Sequence, residues 1–157
     1  MSAELEELYQ SIILDHNRRP KNFRDMPDAT AHADGVNPLC GDQLTVWLRM
    51  DGESVADISF RGQGCAISKA SASMMTQVVK GKSRADADKL FDDVHALVTG
   101  RAGAQAAELG ALKALSGVSK FPLRVKCASL AWHAMRAALH GAGGSVTTDQ
   151  SGGESAS

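Results

Sequence analysis

The sequence predicts an α+β domain, in which one helix precedes a small three-stranded antiparallel sheet and several helices follow it. Two observations lead to this prediction. Apolar residues recur at helical spacing near the start of the chain, alternate with polar residues from about residue 32 to residue 61, and return to helical spacing after residue 64. In addition, the length of 157 residues suits one domain with one hydrophobic core.

The first element is an amphipathic helix, predicted over about Ala3–Asn17 because its apolar residues recur three and four positions apart. Alternation of apolar and polar residues over Leu44–Met50 predicts a half-buried strand, and a second strand follows around Ile58 and Phe60. A short strand near His32–Val36 would complete an antiparallel meander.

Helices are predicted for the rest of the domain. The two-glycine turn Gly62-Gln63-Gly64 precedes the first of them. Ser83 and Asp86 have the spacing of a capping box, which predicts the start of another helix. A short helix is expected over Ala104–Leu115, and Pro122 suits the first turn of a final helix.

The end of the folded domain is expected near residue 140. Residues 141–157 are rich in Gly, Ser and Thr and contain almost nothing apolar to bury, so disorder is predicted for this tail. Residues 1–140 would then form the single domain.

Composition argues against several classes of function. The net charge is −1 and only 4% of residues are aromatic, so the chain lacks the basic face and the stacking platforms that nucleic-acid binding favours. No stretch approaches the ~20 apolar residues that span a bilayer, and the acidic start of the chain does not resemble a signal peptide. We therefore expect a cytoplasmic protein with reduced cysteines, and neither nucleic acid nor membrane as a partner.

The three cysteines are the main candidates for chemistry. Cys40 lies in a loop before the first long strand, where Gly41 allows the backbone to bring Cys40 and Asp42 toward one centre. Cys65 opens a helix, where the helix dipole favours a thiolate. Cys127 lies near the start of the last helix.

These residue types suggest a metal site, although their spacing does not prove one. Three thiolates and one carboxylate form a suitable tetrahedral set for zinc, and the thiolates alone could ligate an iron–sulfur centre. Arg124 precedes Cys127 by three residues, so its guanidinium is expected on the same helical face as the sulfur. Spacing alone leaves open whether the cysteines share one site or are buried packing residues, since no C-x-x-C pair is present.

Four segments of the chain carry motifs that can be compared with known families. They are Leu8–His16 together with Arg19–Phe23, then Asn37–Asp42, Gly62–Ser68 and Phe121–Ala128. In this order they resemble the motifs of SufU-type members of the IscU/NifU iron–sulfur cluster assembly scaffold family. The resemblance covers about Glu4–Leu139, and four motifs in register make it highly specific.

Two departures from IscU-like scaffolds point to the SufU type within that family. Lys126 stands immediately before the third cysteine, where IscU-like scaffolds carry a histidine. The helical segment around Asp93–Leu115 is also absent from IscU-like scaffolds.

The resemblance implies a SufE/NifU-like fold, an iron–sulfur cluster assembly function in the SUF system, and a SufS-type cysteine desulfurase as partner, besides other SUF proteins. It also implies a zinc ion held by Cys40, Asp42, Cys65 and Cys127. The leading hypothesis is a zinc-dependent sulfur acceptor that is not itself an enzyme, with Cys40 as the persulfide acceptor because its loop can reach outward, and with Arg124 assisting.

Two alternatives remain at this level. The chain could be a scaffold that assembles and transfers a [2Fe–2S] cluster on Cys40, Cys65 and Cys127, or a structural zinc protein without a transfer role.

Overall fold

The helices and strands occur in the predicted order in a computed structural model, which describes residues 3–101, 109–141 and 145–147. The elements are α1 (Ala3–Arg18), β1 (Ala31–Asn37), β2 (Asp42–Asp51), β3 (Ser54–Gln63), α2 (Ala66–Val79), α3 (Arg84–Val98), a 3-10 helix (Gly110–Lys120), α4 (Pro122–Leu139) and β4 (Ser145–Thr147).

The sheet has the strand order β3-β2-β1-β4, and its first three strands form the predicted antiparallel meander. Helix α4 packs on β1 and β2, while α2 packs against α1, α4 and β3. The core lies between the sheet and these helices. Its largest fully buried side chains include Leu48, Ile58, Phe60, Leu130 and Trp132. The predicted α+β fold class is confirmed.

Helix boundaries follow signals that the sequence contains. The side chain of Ser83 accepts a hydrogen bond from the backbone N–H of Asp86 at 3.0 Å, and so caps α3 as predicted. Pro122 lies in the first turn of α4, where its missing N–H removes no helical hydrogen bond. No helix in the described part of the chain is long and apolar enough to cross a membrane.

The segment after α3 differs from the prediction. Of the short helix expected over Ala104–Leu115, residues 104–108 lie outside the described residues, and most of the remainder belongs to the 3-10 helix Gly110–Lys120. Gly110 and Gly117 lower the propensity for a regular α-helix in this stretch.

A fourth strand lies in the tail for which the sequence predicts disorder. Ser145–Thr147 form β4, which pairs in parallel with Asp34–Val36 of β1. This pairing covers the edge that β1 would otherwise expose, and it needs only backbone groups. Composition therefore does not reveal it. The other residues of the predicted tail, 142–144 and 148–157, lie outside the described residues.

The motif segment Arg19–Phe23 has a structural role, because it holds the end of α1 against α2. The hydroxyl of Ser73 accepts a hydrogen bond from the backbone N–H of Lys21 at 2.8 Å. The side-chain amide of Asn22 donates to Thr76 Oγ1 at 2.9 Å. These contacts place the motif beside α2 and not among the cysteines.

A buried serine joins α2 to α4. Ser71 Oγ donates to the carbonyl of Ala128 at 2.5 Å and accepts a hydrogen bond from Trp132 Nε1 at 3.1 Å. All three residues are almost fully inaccessible to solvent. Because α2 begins directly after Cys65 and α4 contains Cys127, this contact fixes the relative position of two cysteine-bearing helices.

We predict that Ser71→Ala lowers the free energy of unfolding by about 1–3 kcal/mol, because the buried indole N–H of Trp132 loses its acceptor. Ser59→Ala is the matched control. Ser59 Oγ is also buried but has no hydrogen-bond partner in the described part of the protein, so its removal should be nearly neutral. Urea unfolding of the two variants measures the difference, and equal stabilities would show that the Ser71 contact contributes nothing.

Candidate metal centre

Three separate segments bring the predicted site residues to one end of the sheet. Cys40 and Asp42 come from the β1–β2 connection, Cys65 from the β3–α2 connection, and Cys127 from α4. One ligand atom from each of Cys40, Asp42 and Cys127 lies within 4.8 Å of the other two. The Sγ atoms of Cys127 and Cys40 are 3.4 Å apart. Residues 87 positions apart in the chain are therefore in direct contact.

Cys65 lies beside this group and is held by different contacts. It is not within the same distance of all three residues. Its Sγ accepts a hydrogen bond from the backbone N–H of Ser68 at 3.4 Å and caps α2. Its own backbone N–H donates to Asp42 Oδ1 at 2.9 Å. Cys65 thus contributes to the site through both its sulfur and its backbone.

The β1–β2 connection is a tight hairpin loop that positions Cys40. Asn37 and Asp42 are paired across the two strands, and the N–H of Cys40 donates to the carbonyl of Asn37 at 3.2 Å. Gly41 follows with φ of 73°, a left-handed conformation that favours glycine. Gly41 is expected to let the backbone bring Cys40 and Asp42 toward one centre, and this conformation agrees with that role. The Cys40 side chain is half-buried.

The two carboxylate oxygens of Asp42 have different partners. Oδ1 accepts the hydrogen bond from the N–H of Cys65, whereas Oδ2 lies 3.5 Å from Asn37 Nδ2. That same amide nitrogen lies 3.6 Å from Cys127 Sγ, so Oδ2 and the sulfur face the same region. Since the backbone already holds Oδ1, Oδ2 is the oxygen that the geometry leaves for a metal.

Two glycines allow the end of β3 to approach the start of β2 closely enough for these contacts. Gly62 has φ of 149°, and a Cβ at this residue would overlap the carbonyl of Gln43. A Cβ at Gly64 would lie 2.5 Å from Asp42 Oδ1. The turn Gly62-Gln63-Gly64 therefore does more than connect two elements, because it makes space for the Asp42 carboxylate.

The cysteine thiols hold their protons unequally. The hydrogen bond that Cys127 donates lowers the pKa of Cys65 to about 6, against the effect of burial and with help from the N–H of Ser68. The pKa of Cys127 is raised, because its proton is held in that hydrogen bond to Cys65 and because burial disfavours the thiolate. The hydrogen bond to Cys40 and the negative charges of Cys65 and Asp42 raise this pKa further. The cluster thus resists full ionisation unless a cation compensates its charge.

The three ligand atoms that meet, with the Cys65 sulfur beside them, are of types that fit a zinc ion. Three sulfurs and one carboxylate oxygen are ligands that zinc accepts in tetrahedral geometry, and two sulfurs bound at ~2.3 Å would lie about 3.8 Å apart. The observed separation of 3.4 Å between the sulfurs of Cys40 and Cys127 is close to that value. Asp42 is fully buried, and within the described residues its carboxylate has only N–H donors as partners. A divalent cation would supply the missing positive charge.

Neither Arg124 nor a histidine belongs to the cluster in the described part of the chain. Arg124 is exposed near the start of α4, and its guanidinium makes no hydrogen bond or ion pair with the four site residues among the residues described. No histidine belongs to the cluster in that part of the chain. His133, six residues after Cys127, packs instead against Phe91 with ring centroids 5.1 Å apart.

Sequence reasoning alone does not identify two residues of this site. The sequence marks Asn37 only as part of a motif, but it is fully buried and contacts both Asp42 and Cys127. It marks Gly64 only as part of a turn. The signal for Asn37 is its position next to Pro38 at the start of the cysteine loop, where an asparagine commonly forms a turn by itself. Because this role in a turn is common, the sequence does not indicate the contact between Asn37 and Cys127.

Two relatives of similar sequence have names that agree with a metal or iron–sulfur site at these residues. The zinc-dependent sulfurtransferase SufU of Bacillus subtilis is 43% identical over 137 residues, which cover 85% of this chain and 90% of the relative. The iron–sulfur cluster assembly scaffold protein IscU of Streptococcus pyogenes is 39% identical over 137 residues, covering 87% and 86%.

Solved structures show the same fold. A candidate iron–sulfur cluster assembly scaffold for the SUF system from Fervidobacterium islandicum superimposes with a TM-score of 0.78 at 29% identity, covering 88% of this chain and 99% of that structure. Residues 8–128 match the NifU-like N-terminal domain family. The resemblance seen in the sequence motifs is thus confirmed, and the chain belongs to the family of NifU-like N-terminal domains.

Proposed function

We propose that this chain is an iron–sulfur cluster assembly protein of the SUF system, a zinc-dependent sulfur acceptor that receives persulfide sulfur from a SufS-type cysteine desulfurase. The observation that carries the proposal is the cluster of Cys40, Asp42 and Cys127 sulfur and oxygen atoms within 4.8 Å, with Cys65 beside it. The 43% identity to a zinc-dependent sulfurtransferase supports the same function. Other SUF assembly proteins would be its further partners.

Zinc would be held by Cys40, Asp42, Cys65 and Cys127. When bound, it would keep the thiols deprotonated and protected from oxidation. The four residues that would hold the zinc ion are largely enclosed by the protein. Cys127 and Asp42 are fully buried, and Cys40 and Cys65 are half-buried, so the two outer cysteines are the members of the cluster that solvent can reach.

Cys40 is the residue best placed to receive sulfur. A persulfide acceptor must enter the active site of another protein, so its backbone needs reach as well as a reactive thiolate. Cys40 lies at a hairpin loop beside the exposed Leu39, whereas Cys127 is 0% exposed and lies within a helix. The hydrogen bond from Cys127 lowers the pKa of Cys65 to about 6, but the Cys65 sulfur caps α2. The acidity of Cys65 supports that residue as the acceptor, whereas reach favours Cys40.

Sulfur transfer to Cys40 requires no external oxidant or reductant. The Cys40 thiolate attacks the terminal sulfur of the persulfide on the desulfurase and forms a new S–S bond. The bond between that sulfur and the desulfurase cysteine breaks, and this cysteine leaves as a thiolate. Because the sulfur is passed on at the same oxidation level, the chain acts as a carrier that works with an enzyme.

Exposed apolar side chains close in sequence to two of the site cysteines would provide a surface for the desulfurase. Leu39 precedes Cys40, and Phe121 and Leu123 lie at the start of α4, which contains Cys127; each is more than half exposed. Exposed large apolar side chains are typical of protein interaction sites where they form a patch. Arg124 lies in the same turn of α4 and is exposed, so its guanidinium is available to assist a negatively charged Cys40 persulfide during transfer.

A scaffold for a [2Fe–2S] cluster is the second candidate function. Cys40, Cys65 and Cys127 provide three sulfurs, a suitable ligand type for such a cluster, and the IscU relative at 39% identity is a cluster assembly scaffold. Reconstitution with iron and sulfide, followed by transfer to an apo-ferredoxin, tests this alternative. A chain that accepts sulfur but neither holds nor transfers a cluster is a sulfur acceptor only.

We predict about one zinc ion per purified chain, retained through Asp42. Asp42→Ala removes the oxygen ligand, and Gly64→Ala adds a Cβ only 2.5 Å from Asp42 Oδ1, so both should weaken zinc binding. An increase in Kd of about 10–100-fold is expected from disturbing a ligand or its support. Competition with a chromogenic chelator, together with elemental analysis, measures the change.

Gly117→Ala is the matched control for the glycine variant. A Cβ at Gly117 meets nothing within 4 Å, so the same chemical change is made in open space. Zinc affinity should remain that of the native chain. If Gly64→Ala and Asp42→Ala also keep native affinity, Asp42 is a turn residue and not a ligand.

We predict that Cys40→Ser abolishes stimulation of the desulfurase while the fold remains intact. Cys65→Ser and Cys127→Ser should lose zinc first and activity as a consequence, because both residues lie at a helix end or within a helix. Mass spectrometry after incubation with desulfurase and cysteine locates the added sulfur. Sulfur found mainly on Cys65 would assign the acceptor by acidity instead of reach, and no added sulfur on any cysteine would remove the carrier function.

A further inference from the structure

We propose that Asn37 is a positioning residue of the metal centre, whose side-chain amide holds the ligand atoms of Asp42 and Cys127 toward one point. This inference rests on the proposed metal centre and extends it to a residue that binds no metal itself. Nothing in the spacing of the cysteines indicates such a residue.

The contacts of Asn37 connect two ligands that come from distant parts of the chain. Its Nδ2 lies 3.5 Å from Asp42 Oδ2 and 3.6 Å from Cys127 Sγ, and the side chain is fully buried. Asn37 is also the strand partner of Asp42, so the two backbones are held at a fixed separation. One amide group therefore links the β1–β2 hairpin to α4 at the site.

A role in forming the turn does not explain the position of this side chain. An asparagine that forms its own turn accepts a backbone N–H with its side-chain oxygen. Asn37 Oδ1 is buried and has no hydrogen-bond partner among the described residues. The hydrogen bond that closes the turn instead joins the backbone carbonyl of Asn37 to the N–H of Cys40. Among the described residues, the Asn37 side chain thus contacts the cluster through its amide nitrogen and not through its oxygen.

The amide group suits this position because it is neutral and donates hydrogen bonds. Donation to a carboxylate oxygen and to a sulfur stabilises negative charge on both without introducing a cation that would compete with the metal. Outer groups that hydrogen-bond to metal ligands orient them and tune their basicity. An aspartate at this position has almost the same shape but cannot donate when ionised, and it would place a second carboxylate next to Asp42.

The test uses the full chain with Co²⁺ in place of Zn²⁺, because cobalt bound to cysteine sulfur gives a charge-transfer absorption band. Asn37→Ser keeps a turn-forming residue but shortens the side chain, and Asn37→Asp keeps the shape but removes the donor. Loss of the hydrogen bond to Cys127 makes its sulfur more electron-rich, so the band should shift to longer wavelength. The Kd for Zn²⁺, measured by chelator competition, should rise about 10–100-fold.

Asn22→Ser is the matched control, since it removes a similar side-chain hydrogen bond, from Asn22 Nδ2 to Thr76, away from the cluster. It should lower thermal stability but leave the cobalt band and the Zn²⁺ affinity unchanged. A shifted band and weaker binding in both Asn37 variants, with native values in the control, support the proposal.

Unchanged spectra and affinities in both Asn37 variants would overturn the positioning role while leaving the metal centre intact. A native chain that binds neither Zn²⁺ nor Co²⁺ would overturn the metal centre and the role of Asn37 together. If Asn37→Ser does not fold, the isosteric Asn37→Asp decides between these outcomes.

Discussion

The hydrogen bond from the backbone N–H of Cys65 to Asp42 Oδ1 is the contact on which the site depends. It joins the start of β2 to the start of α2 and holds the Oδ1 atom of Asp42. The contact exists only because Gly62 and Gly64 let the two segments approach to a distance that any side chain would prevent. The cluster therefore requires glycine at these two positions of the turn.

Burial of the site residues makes their charges costly, and it also determines which cysteines are accessible. A buried carboxylate beside one buried and two half-buried thiolates is unfavourable without a cation, and N–H donors from Asn37 and Cys65 compensate only part of that cost. A bound cation would compensate the rest. In the same arrangement Cys127 is inaccessible, while Cys40 remains partly exposed at the loop, where the proposed transfer of sulfur needs it.

The helices contribute to the site by holding two of its sulfurs in place. Ser71 connects α2 to α4 through Ala128, the residue after Cys127, and through Trp132. In the described part of the chain, no comparable side-chain hydrogen bond to a helix holds Leu39 in the hairpin that carries Cys40, and Leu39 is exposed. The division between anchored and accessible cysteines follows from these different supports and not from any difference between the cysteines themselves.

Local patterns in the sequence were sufficient for most of the fold. Alternation over Leu44–Met50, the cap at Ser83 and the proline at residue 122 each reflect interactions between near neighbours in the chain, so they could be read without a structure. The strand Ser145–Thr147 and the 3-10 helix Gly110–Lys120 could not. The strand depends on the open backbone edge of β1. The 3-10 helix depends on a weak preference of this segment for the 3-10 form over the α-helix.

For the site, the sequence by itself determined the candidate residues and the family, because motifs around Cys40, Cys65 and Cys127 occur in a specific order. Only the tertiary structure decided that these residues meet, that Cys127 is closed to solvent, and that Asn37 and Gly64 belong to the same cluster. The physical reason is that such contacts join positions up to 90 residues apart, which no local pattern relates.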